Sequence, residues 1–212
     1  LSTGSVPVKL NFPGADLPGV VDSTGVLSLD KLPASIVIIG GGVIGVEFAA
    51  LYAALGSQVT VIELLPEILP GIDSELAANL KQSLSKKGVR FLNGAKLEAV
   101  SKTATGLSAH VALGNETKEI DAEIVLVAVG RRAYTEGAGL AAAGVNLERG
   151  KVVVDDHYRT NLPKVYAIGD CVFGHAQLAH TASAMGEVAA ENIMGIPAVY
   201  DERTNPTCVY IE

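Results

Sequence analysis

Short apolar runs and longer amphipathic stretches alternate along the chain between positions 35 and 93. The runs "SIVIIG" (35–40), "QVTVIE" (58–63) and "VRFL" (89–92) are rich in β-branched or aromatic residues, which predicts strands. The first run is apolar at nearly every position, as expected of a strand that is buried on both faces in a parallel sheet. The pattern therefore predicts a parallel sheet in this region.

Helices are predicted in the stretches between these runs. One follows the glycines at 40–42 and ends at Gly56, and its apolar positions recur at helical spacing. The other covers "DSELAANLKQSLSKKG" (73–88), with Asp73 as N-cap, lysines in the last turn and Gly88 as C-cap. Strand, helix, strand, helix, strand is the order of a mononucleotide-binding half of a doubly wound sheet. The apolar stripe expected on the first helix consists of Ile44, Phe48, Leu51 and Leu55.

The pattern changes between positions 95 and 130. Short alternating segments, "LSAHVAL" and "TKEI", are separated by Gly114-Asn115, which predicts an antiparallel hairpin or meander. "EIVLVAVG" then predicts another buried strand, "KVYAIGD" a strand that leads into a turn, and "QLAHTASAMGEVAAENIM" a helix. The closing "TCVYIE" reads as a strand.

Composition narrows the class of function. Lys and Arg total 16 against 23 Asp and Glu, a net charge of −7, which argues against nucleic acid and against an anionic membrane surface as partners. No apolar run approaches the length of a membrane span, and no group of His, Cys or acidic residues has metal-ligand spacing. Cys171 and Cys208 form no CxxC or CxxxxC pair. A reducing, cytoplasmic setting fits these features best.

Gly40, Gly42 and Gly45 form a G-x-G-x-x-G string that follows a predicted strand and opens a predicted helix. In that context the first glycine permits a tight turn, the second lets a pyrophosphate approach the backbone, and the third lets helix and strand pack closely. Free N–H groups and the dipole at the helix start would attract the anion. The alternative is a flexible turn that binds no ligand.

Two acidic residues accompany the glycines. Glu63 ends the second strand, at the place where an acid binds the ribose hydroxyls of NAD, and no Lys or Arg occurs between it and Lys81. This arrangement favours NAD over NADP, unless Glu63 is simply a solvated residue at a strand end. Glu47 lies early in the helix, where it either interacts favourably with the helix dipole or faces the nicotinamide.

Together these motifs resemble the FAD-dependent pyridine nucleotide–disulfide oxidoreductases, and most closely the dihydrolipoamide dehydrogenase branch. The matching segments follow the family's order: "STGS", "IIGGGVIGVEFAALYAALG", "VTVIELLPEILPGID", "VLVAVGRR", "VYAIGDC" and "QLAHTASAMG". The resemblance implies an α/β, Rossmann-like FAD/NAD(P)-binding fold with β/β/α layers and an antiparallel β-meander in the NAD domain.

The same resemblance implies a role for each matching residue. It places Glu47 beside the flavin–nicotinamide contact, Leu97 on the adenine side and Gly130 near the nicotinamide. The implied NAD-binding residues are Gly40, Gly41, Gly42, Val43, Ile44, Gly45, Val46, Glu47, Glu63, Leu97 and Gly130. The implied FAD-binding residues are Thr3, Gly4, Ser5, Asp170, Gln177, Leu178, Ala179 and His180.

The domains implied by the resemblance are 1–33 as the end of a first FAD-domain segment, 34–131 as the NAD domain, 132–203 as the returning FAD-domain segment and 204–212 as the start of an interface domain. Both ends read as cut, so we expect a piece of a longer protein. The family's redox CxxxxC helix and its His–Glu base are absent from these residues, so we expect no catalytic residue here. "GRRAYTEG" replaces the usual GRRPNT, and the loop before His180 is one residue longer than in many relatives.

The activity that the resemblance implies is oxidation of protein-bound dihydrolipoamide through a disulfide and FAD, with hydride transfer to NAD⁺. Its implied partners are a lipoyl-bearing protein of a 2-oxo acid dehydrogenase or glycine cleavage complex, and a second copy of the full-length protein in a homodimer. An NADH oxidase, another disulfide reductase, a mercuric reductase and a stand-alone NAD-binding module are the alternatives. Bound yellow flavin would separate the module from the others.

Overall fold

The computed structural model describes residues 1–211. Its α-helices and strands lie close to the predicted positions in the first two thirds of the chain. The α-helices are α1 (Val43–Ala54), α2 (Ser74–Lys86) and α3 (Ala179–Ile193). The strands are β1 (Ser5–Pro7), β2 (Val20–Asp22), β3 (Ser35–Ile39), β4 (Gln58–Glu63), β5 (Arg90–Asn93), β6 (Ala95–Lys102), β7 (Leu107–Leu113), β8 (Glu116–Ala122), β9 (Ile124–Val127), β10 (Arg131–Ala133), β11 (Leu147–Glu148) and β12 (Lys151–Val152).

The chain forms two compact units. Unit 1 contains residues 1–6 and 131–207, and unit 2 contains residues 7–130 and the described residues from Cys208 onward. The segment 7–33 belongs to unit 2, where β2 pairs with β9. The four-part division into FAD, NAD and interface segments remains a prediction, and residue 212 of its last part lies outside the described residues.

Unit 2 is built on a parallel sheet with the order β2-β9-β3-β4-β5. Strand β3 shows how the layers form, because its successive side chains point to opposite faces. Ile36 and Ile38 pack with the residues of α1, whereas Val37 and Ile39 pack with the residues of β7. All four are at most 5% exposed, so each contributes roughly 1.5–3 kcal/mol by burial. An α-helical layer, a parallel sheet and an antiparallel sheet result.

The antiparallel layer is the meander β6-β7-β8, which confirms the predicted hairpin. Gly114 and Asn115 form its two-residue turn, and Gly114 adopts a φ of 61°. This layer, together with the parallel sheet and the helices, confirms the Rossmann-like fold with β/β/α layers.

The N-cap of α2 is the one that the sequence predicts, whereas its C-cap is Lys87 rather than Gly88. The Asp73 side chain accepts hydrogen bonds from the N–H groups of Glu75 and Leu76 at 3.0 and 3.2 Å. Gly88 follows the C-cap with a φ of 94°. This left-handed conformation explains why glycine stands one position beyond the C-cap.

Helix α1 buries only part of the predicted stripe, since Ile44 and Phe48 pack against the core but the two leucines do not. Leu51 and Leu55 are 47% and 54% exposed, while Val46 and Ala49 are fully buried. The helix carries apolar residues on nearly all sides, so their spacing does not indicate which face is buried. The small side chains of its glycine and alanines allow it to approach the sheet closely, and this approach decides which face is buried.

Unit 1 contains α3, the paired strands β1 and β10, and the hairpin of β11 and β12. Two predicted strands are wrong. "KVYAIGD" makes an isolated bridge at Tyr166, because the backbone N–H groups of Ala167 and Ile168 bond to Tyr158 and Leu1 rather than to one neighbouring strand. The described part of "TCVYIE", residues 207–211, likewise forms no strand, since no partner strand pairs with it among the described residues. Residue 212 of this predicted strand lies outside the described residues.

Candidate functional site

The turn between β3 and α1 contains two glycines that the fold itself requires. Gly40 has a φ of 109°, and a Cβ added there would lie 2.5 Å from the carbonyl oxygen of Ala128. A Cβ on Gly45 would lie 1.9 Å from the carbonyl oxygen of Gly40. Both distances are shorter than the contacts that Cβ atoms make in real proteins. Gly40 and Gly45 therefore let β3, β9 and α1 pack closely.

Gly42 is different, because neither its conformation nor its neighbours exclude a side chain. Its φ is −74°, which any residue can adopt, and a Cβ added there would meet nothing within 4 Å. Gly42 is the N-cap of α1, and no side chain caps the helix there. The absence of a side chain leaves space in front of the helix N-terminus. A phosphate group fits this space chemically, because backbone N–H groups and the helix dipole attract anions.

Glu63 lies at the end of β4 with its carboxylate directed at the same turn. Its Oε2 accepts a hydrogen bond of 2.5 Å from the N–H of Gly41, and its Oε1 accepts one of 2.7 Å from the N–H of Leu65. The residue is only 8% exposed. A Cβ on Gly41 would lie 2.9 Å from Cγ2 of Ile68 and 3.1 Å from Oε2 of Glu63. Glu63 therefore holds the glycine turn in place, in addition to any role toward a ligand.

The strand order places these groups at one edge of the sheet. The chain passes from β3 to β4 on one side, and β9 lies on the other side of β3. This reversal is the topological switch point at which doubly wound sheets bind ligands, beyond the carboxyl ends of the strands. Gly40 follows β3, Glu63 ends β4, and Gly130 follows β9 with a φ of 113° and open space around it.

The other residues of the implied NAD set lie on α1 and β6. Val43 and Ile44 begin α1, and the N–H of Val46 donates to the carbonyl of Gly42. Glu47 accepts a hydrogen bond of 2.8 Å from the N–H of Tyr210. Leu97 lies on β6, beside an irregularity in its pairing with β7, and packs against the core between meander and sheet.

The implied FAD residues of unit 1 form a hydrogen-bonded network. Ser5 Oγ donates to Asp170 Oδ2 at 2.6 Å. The guanidinium of Arg131 donates from Nε to Ser5 Oγ and from Nη2 to the Ser5 carbonyl, both at 2.8 Å. Gln177 Nε2 donates to the Asp170 carbonyl at 3.1 Å. Three of the predicted residues are thus brought together, although they are far apart in the sequence.

The remaining residues of this set differ in their surroundings. Thr3 has a buried Oγ1 with no hydrogen-bond partner in the described part of the chain, and such an atom is available to a ligand. Gly4 has a φ of 71° and open space around it. Leu178 is the N-cap of α3, and Ala179 and His180 are exposed in its first turn. Arg131 was assigned no role from the sequence, although a charged residue directly after an apolar strand is a usable signal.

The described residues contain no group of three or more His, Cys, Asp or Glu side chains that could hold a metal ion. None of the helices described has both the length and the apolar character needed to cross a membrane.

Comparison with known proteins decides the family. The model for "Pyridine nucleotide-disulphide oxidoreductase" matches residues 1–186. The chain belongs to this family. Dihydrolipoyl dehydrogenase of Geobacillus stearothermophilus is 42% identical over 212 residues, which cover 99% of this chain and 44% of that protein. The chain thus spans less than half the length of this curated relative.

Solved structures with a similar fold include two that cover nearly the whole of this chain. LpdA from Mycobacterium tuberculosis matches with a TM-score of 0.87 and 30% identity, over 99% of this chain and 45% of that one. A NAD-dependent persulfide reductase from A. fulgidus matches with a TM-score of 0.82 and 30% identity, over 94% of this chain and 39% of that one. Similar proteins thus include oxidoreductases of more than one substrate class.

Proposed function

We propose that unit 2 binds NAD(H) at the glycine turn, and that the chain is the NAD-binding and partial FAD-binding portion of a dihydrolipoyl dehydrogenase. The observation that carries this proposal is the contrast among the glycines. Gly40 and Gly45 are required by close backbone packing, whereas the space at Gly42 serves no packing purpose. A pyrophosphate in front of α1 accounts for that space.

Selectivity for NAD over NADP follows from charge. The Glu63 carboxylate is buried at the edge where the adenosine ribose would lie, and it would repel a 2′-phosphate. The sequence offers no Lys or Arg from position 64 to position 80 to offset that repulsion. We expect NADH to bind at least about tenfold more tightly than NADPH, a difference of about 1.4 kcal/mol.

In the full-length protein, dihydrolipoamide would be oxidised to the cyclic disulfide, and its two electrons would pass through a protein disulfide and FAD to NAD⁺, forming NADH and releasing a proton. When bound, FAD supplies the electron transfer between thiols and nicotinamide. The residues of unit 1 that would hold it are Thr3, Ser5, Asp170 and Gln177. Ser5 and Asp170 present hydroxyl and carboxylate oxygens, and Arg131 holds Ser5, which in turn donates to Asp170.

The proposed role in the cell follows from that reaction. The partners would be a lipoyl-bearing protein of a 2-oxo acid dehydrogenase or glycine cleavage complex, and a second copy of the full-length protein. The location would be the cytoplasm. The implied domain division, from the end of a FAD segment to the start of an interface domain, belongs to the same proposal.

A second candidate is a reductase of another sulfur substrate within the family. The observation that favours it is the structural similarity to a NAD-dependent persulfide reductase, at a TM-score of 0.82 and 30% identity. Steady-state assays of the full-length parent with dihydrolipoamide and with a persulfide would separate the two. A full-length protein that bound NADH and contained no flavin would instead favour the remaining alternative, a stand-alone NAD-binding module.

The test of the proposed NAD site is a fluorescence titration of the purified chain with NADH and with NADPH. Saturable binding of NADH that is at least about tenfold tighter than that of NADPH supports the proposal. No binding of NADH, or equal or tighter binding of NADPH, contradicts it.

A further inference from the structure

The meander of unit 2 carries a chain of polar contacts on the face that points away from the parallel sheet. Ser101 Oγ lies 2.8 Å from Nε2 of His110, and Nδ1 of the same ring lies 3.5 Å from Oε1 of Glu119. One residue comes from each of three adjacent strands, β6, β7 and β8. No packing role in the core explains this arrangement.

Strand register explains how the three side chains meet. His110 and Glu119 are direct cross-strand partners, so their side chains stand on the same face. Ser101 lies two positions beyond Ala99, the direct partner of His110 on β6, and reaches the ring diagonally. The alternate residues of these strands, including Val100, Ala109 and Ile120, are buried against the sheet.

The contacts assign a role to each of the two nitrogens of the His110 imidazole. The Glu119 carboxylate beside Nδ1 favours the tautomer with its proton on that nitrogen. Nε2 is then free to accept the hydrogen bond from the Ser101 hydroxyl. A hydroxyl, an imidazole base and a carboxylate in this order are the parts of an activated nucleophile, in which the carboxylate also stabilises the imidazolium that forms.

Ser108 adds a second, independent feature to this face. It is the direct cross-strand partner of Ser101, so their side chains stand on the same face about 4.5–5.5 Å apart. Ser108 is 3% exposed, and its Oγ has no hydrogen-bond partner among the described residues. An unpartnered hydroxyl next to the nucleophile is able to donate to a developing oxyanion.

We propose that Ser101 is an activated nucleophile that accepts acyl groups from activated esters and thioesters. Ser101 Oγ forms a bond to the acyl carbonyl carbon while its proton passes to Nε2 of His110. The tetrahedral oxyanion receives a hydrogen bond from Ser108. The bond between the acyl carbon and the leaving oxygen or sulfur then breaks, and the leaving group departs with the electron pair and takes the proton from His110. Ser101 is left as an ester.

The face of the meander that carries Ser101, His110 and Glu119 is accessible to such reagents. The His110 side chain is 28% exposed and that of Glu119 is 70% exposed, and Ser101 is half-buried. None of the four residues belongs to the implied NAD-binding or FAD-binding set, and the acyl transfer uses neither cofactor, so its outcome is independent of the proposed cofactor site.

The probe is p-nitrophenyl acetate, and the measurement is release of p-nitrophenolate together with mass spectrometry of the tryptic peptide 97–102. In that peptide Ser101 is the only hydroxyl group, and acetylation of Lys102 would instead prevent cleavage after it. One acetyl group on Ser101 is expected for the unaltered chain. His110→Gln should slow acetylation of Ser101 by about a hundredfold, the loss typical of removing a general base. Glu119→Gln should slow it several-fold.

Ser183→Ala is the matched control, because Ser183 is an exposed serine on α3 whose Oγ donates to the carbonyl of Ala179. This variant should be acetylated at Ser101 at the original rate. Glu119→Gln alters an exposed position, so its result does not depend on whether the His110 variant folds. An absence of acetyl-Ser101 in the unaltered chain, or an unchanged rate in both His110→Gln and Glu119→Gln, would overturn the proposal.

Discussion

Glu63 and Gly41 are joined by a hydrogen bond of 2.5 Å between the carboxylate Oε2 and the backbone N–H. The other oxygen of the same carboxylate accepts from the N–H of Leu65. One buried acid thus satisfies two backbone donors of the loops that enclose the proposed cofactor site. Ligand selectivity and the shape of the turn therefore depend on the same side chain.

Glu63→Gln should destabilise the protein and weaken its preference for NADH. An amide has one acceptor oxygen, so one of the two N–H groups would face another donor, at a cost of about 1–3 kcal/mol. The negative charge that opposes a 2′-phosphate would also be lost. Chemical denaturation measures the first effect, and fluorescence titration with NADH and NADPH measures the second.

The matched control for this variant is Glu67→Gln, at an exposed position of the following loop. It should leave both the free energy of unfolding and the cofactor preference unchanged. If Glu63→Gln behaves like this control in both measurements, Glu63 neither holds the glycine turn in place nor sets the cofactor preference.

The raised pKa of Tyr158 predicts that the protein loses stability at alkaline pH. Burial, followed by the negative charges of Glu202, Tyr200 and Asp156, raises its pKa from 10.0 to about 12. Because the unfolded chain releases this proton first, the stabilisation is complete below pH 10 and is lost as the pH rises toward 12. The loss amounts to roughly 2 kcal/mol. Tyr158→Phe should remove this phase of the stability profile, whereas Tyr134→Phe, at a position that is 41% exposed, should keep it.

The purified chain should not oxidise dihydrolipoamide, even with NAD⁺ and FAD added. The reaction needs a redox pair of thiols, and Cys171 is buried while Cys208 is exposed far along the sequence. Retention of flavin should also be poor, because we propose that these residues supply only part of the FAD-binding site. The expected preparation is nearly colourless and still binds NADH. Measurable lipoamide turnover, or one FAD per chain by absorbance, would show that this interpretation is mistaken.

The local elements of unit 2 were predictable because each rests on a short-range signal. Asp73 marks the start of α2 by accepting the first N–H groups, and Gly114 marks the turn of the meander by its positive φ. The buried face of α1 was not predictable from spacing, since leucines such as Leu51 lie beside equally apolar small residues. Close approach to the sheet decides between them, and a one-dimensional pattern does not contain that information.

The candidate site also combines features that a local sequence pattern predicts with features that only the folded structure reveals. The glycine string located the turn, but only the three-dimensional contacts separate Gly42 from Gly40 and Gly45. The bond of Arg131 to Ser5 spans 126 positions, so no local pattern reveals it. Long-range contacts of this kind depend on how the whole unit folds.

The central claim, that the space at Gly42 holds a pyrophosphate, is tested most directly by NADH titration of Gly42→Val beside a control. Gly186→Ala on α3 is the control, since its added Cβ would make only an ordinary contact of 3.6 Å. Far-ultraviolet circular dichroism should show that both variants keep the fold, because a Cβ added at Gly42 would meet nothing within 4 Å. We predict that Gly42→Val binds NADH more than about a hundredfold less tightly, a loss of about 2.8 kcal/mol, while the control binds normally. Normal NADH binding by folded Gly42→Val would contradict the account.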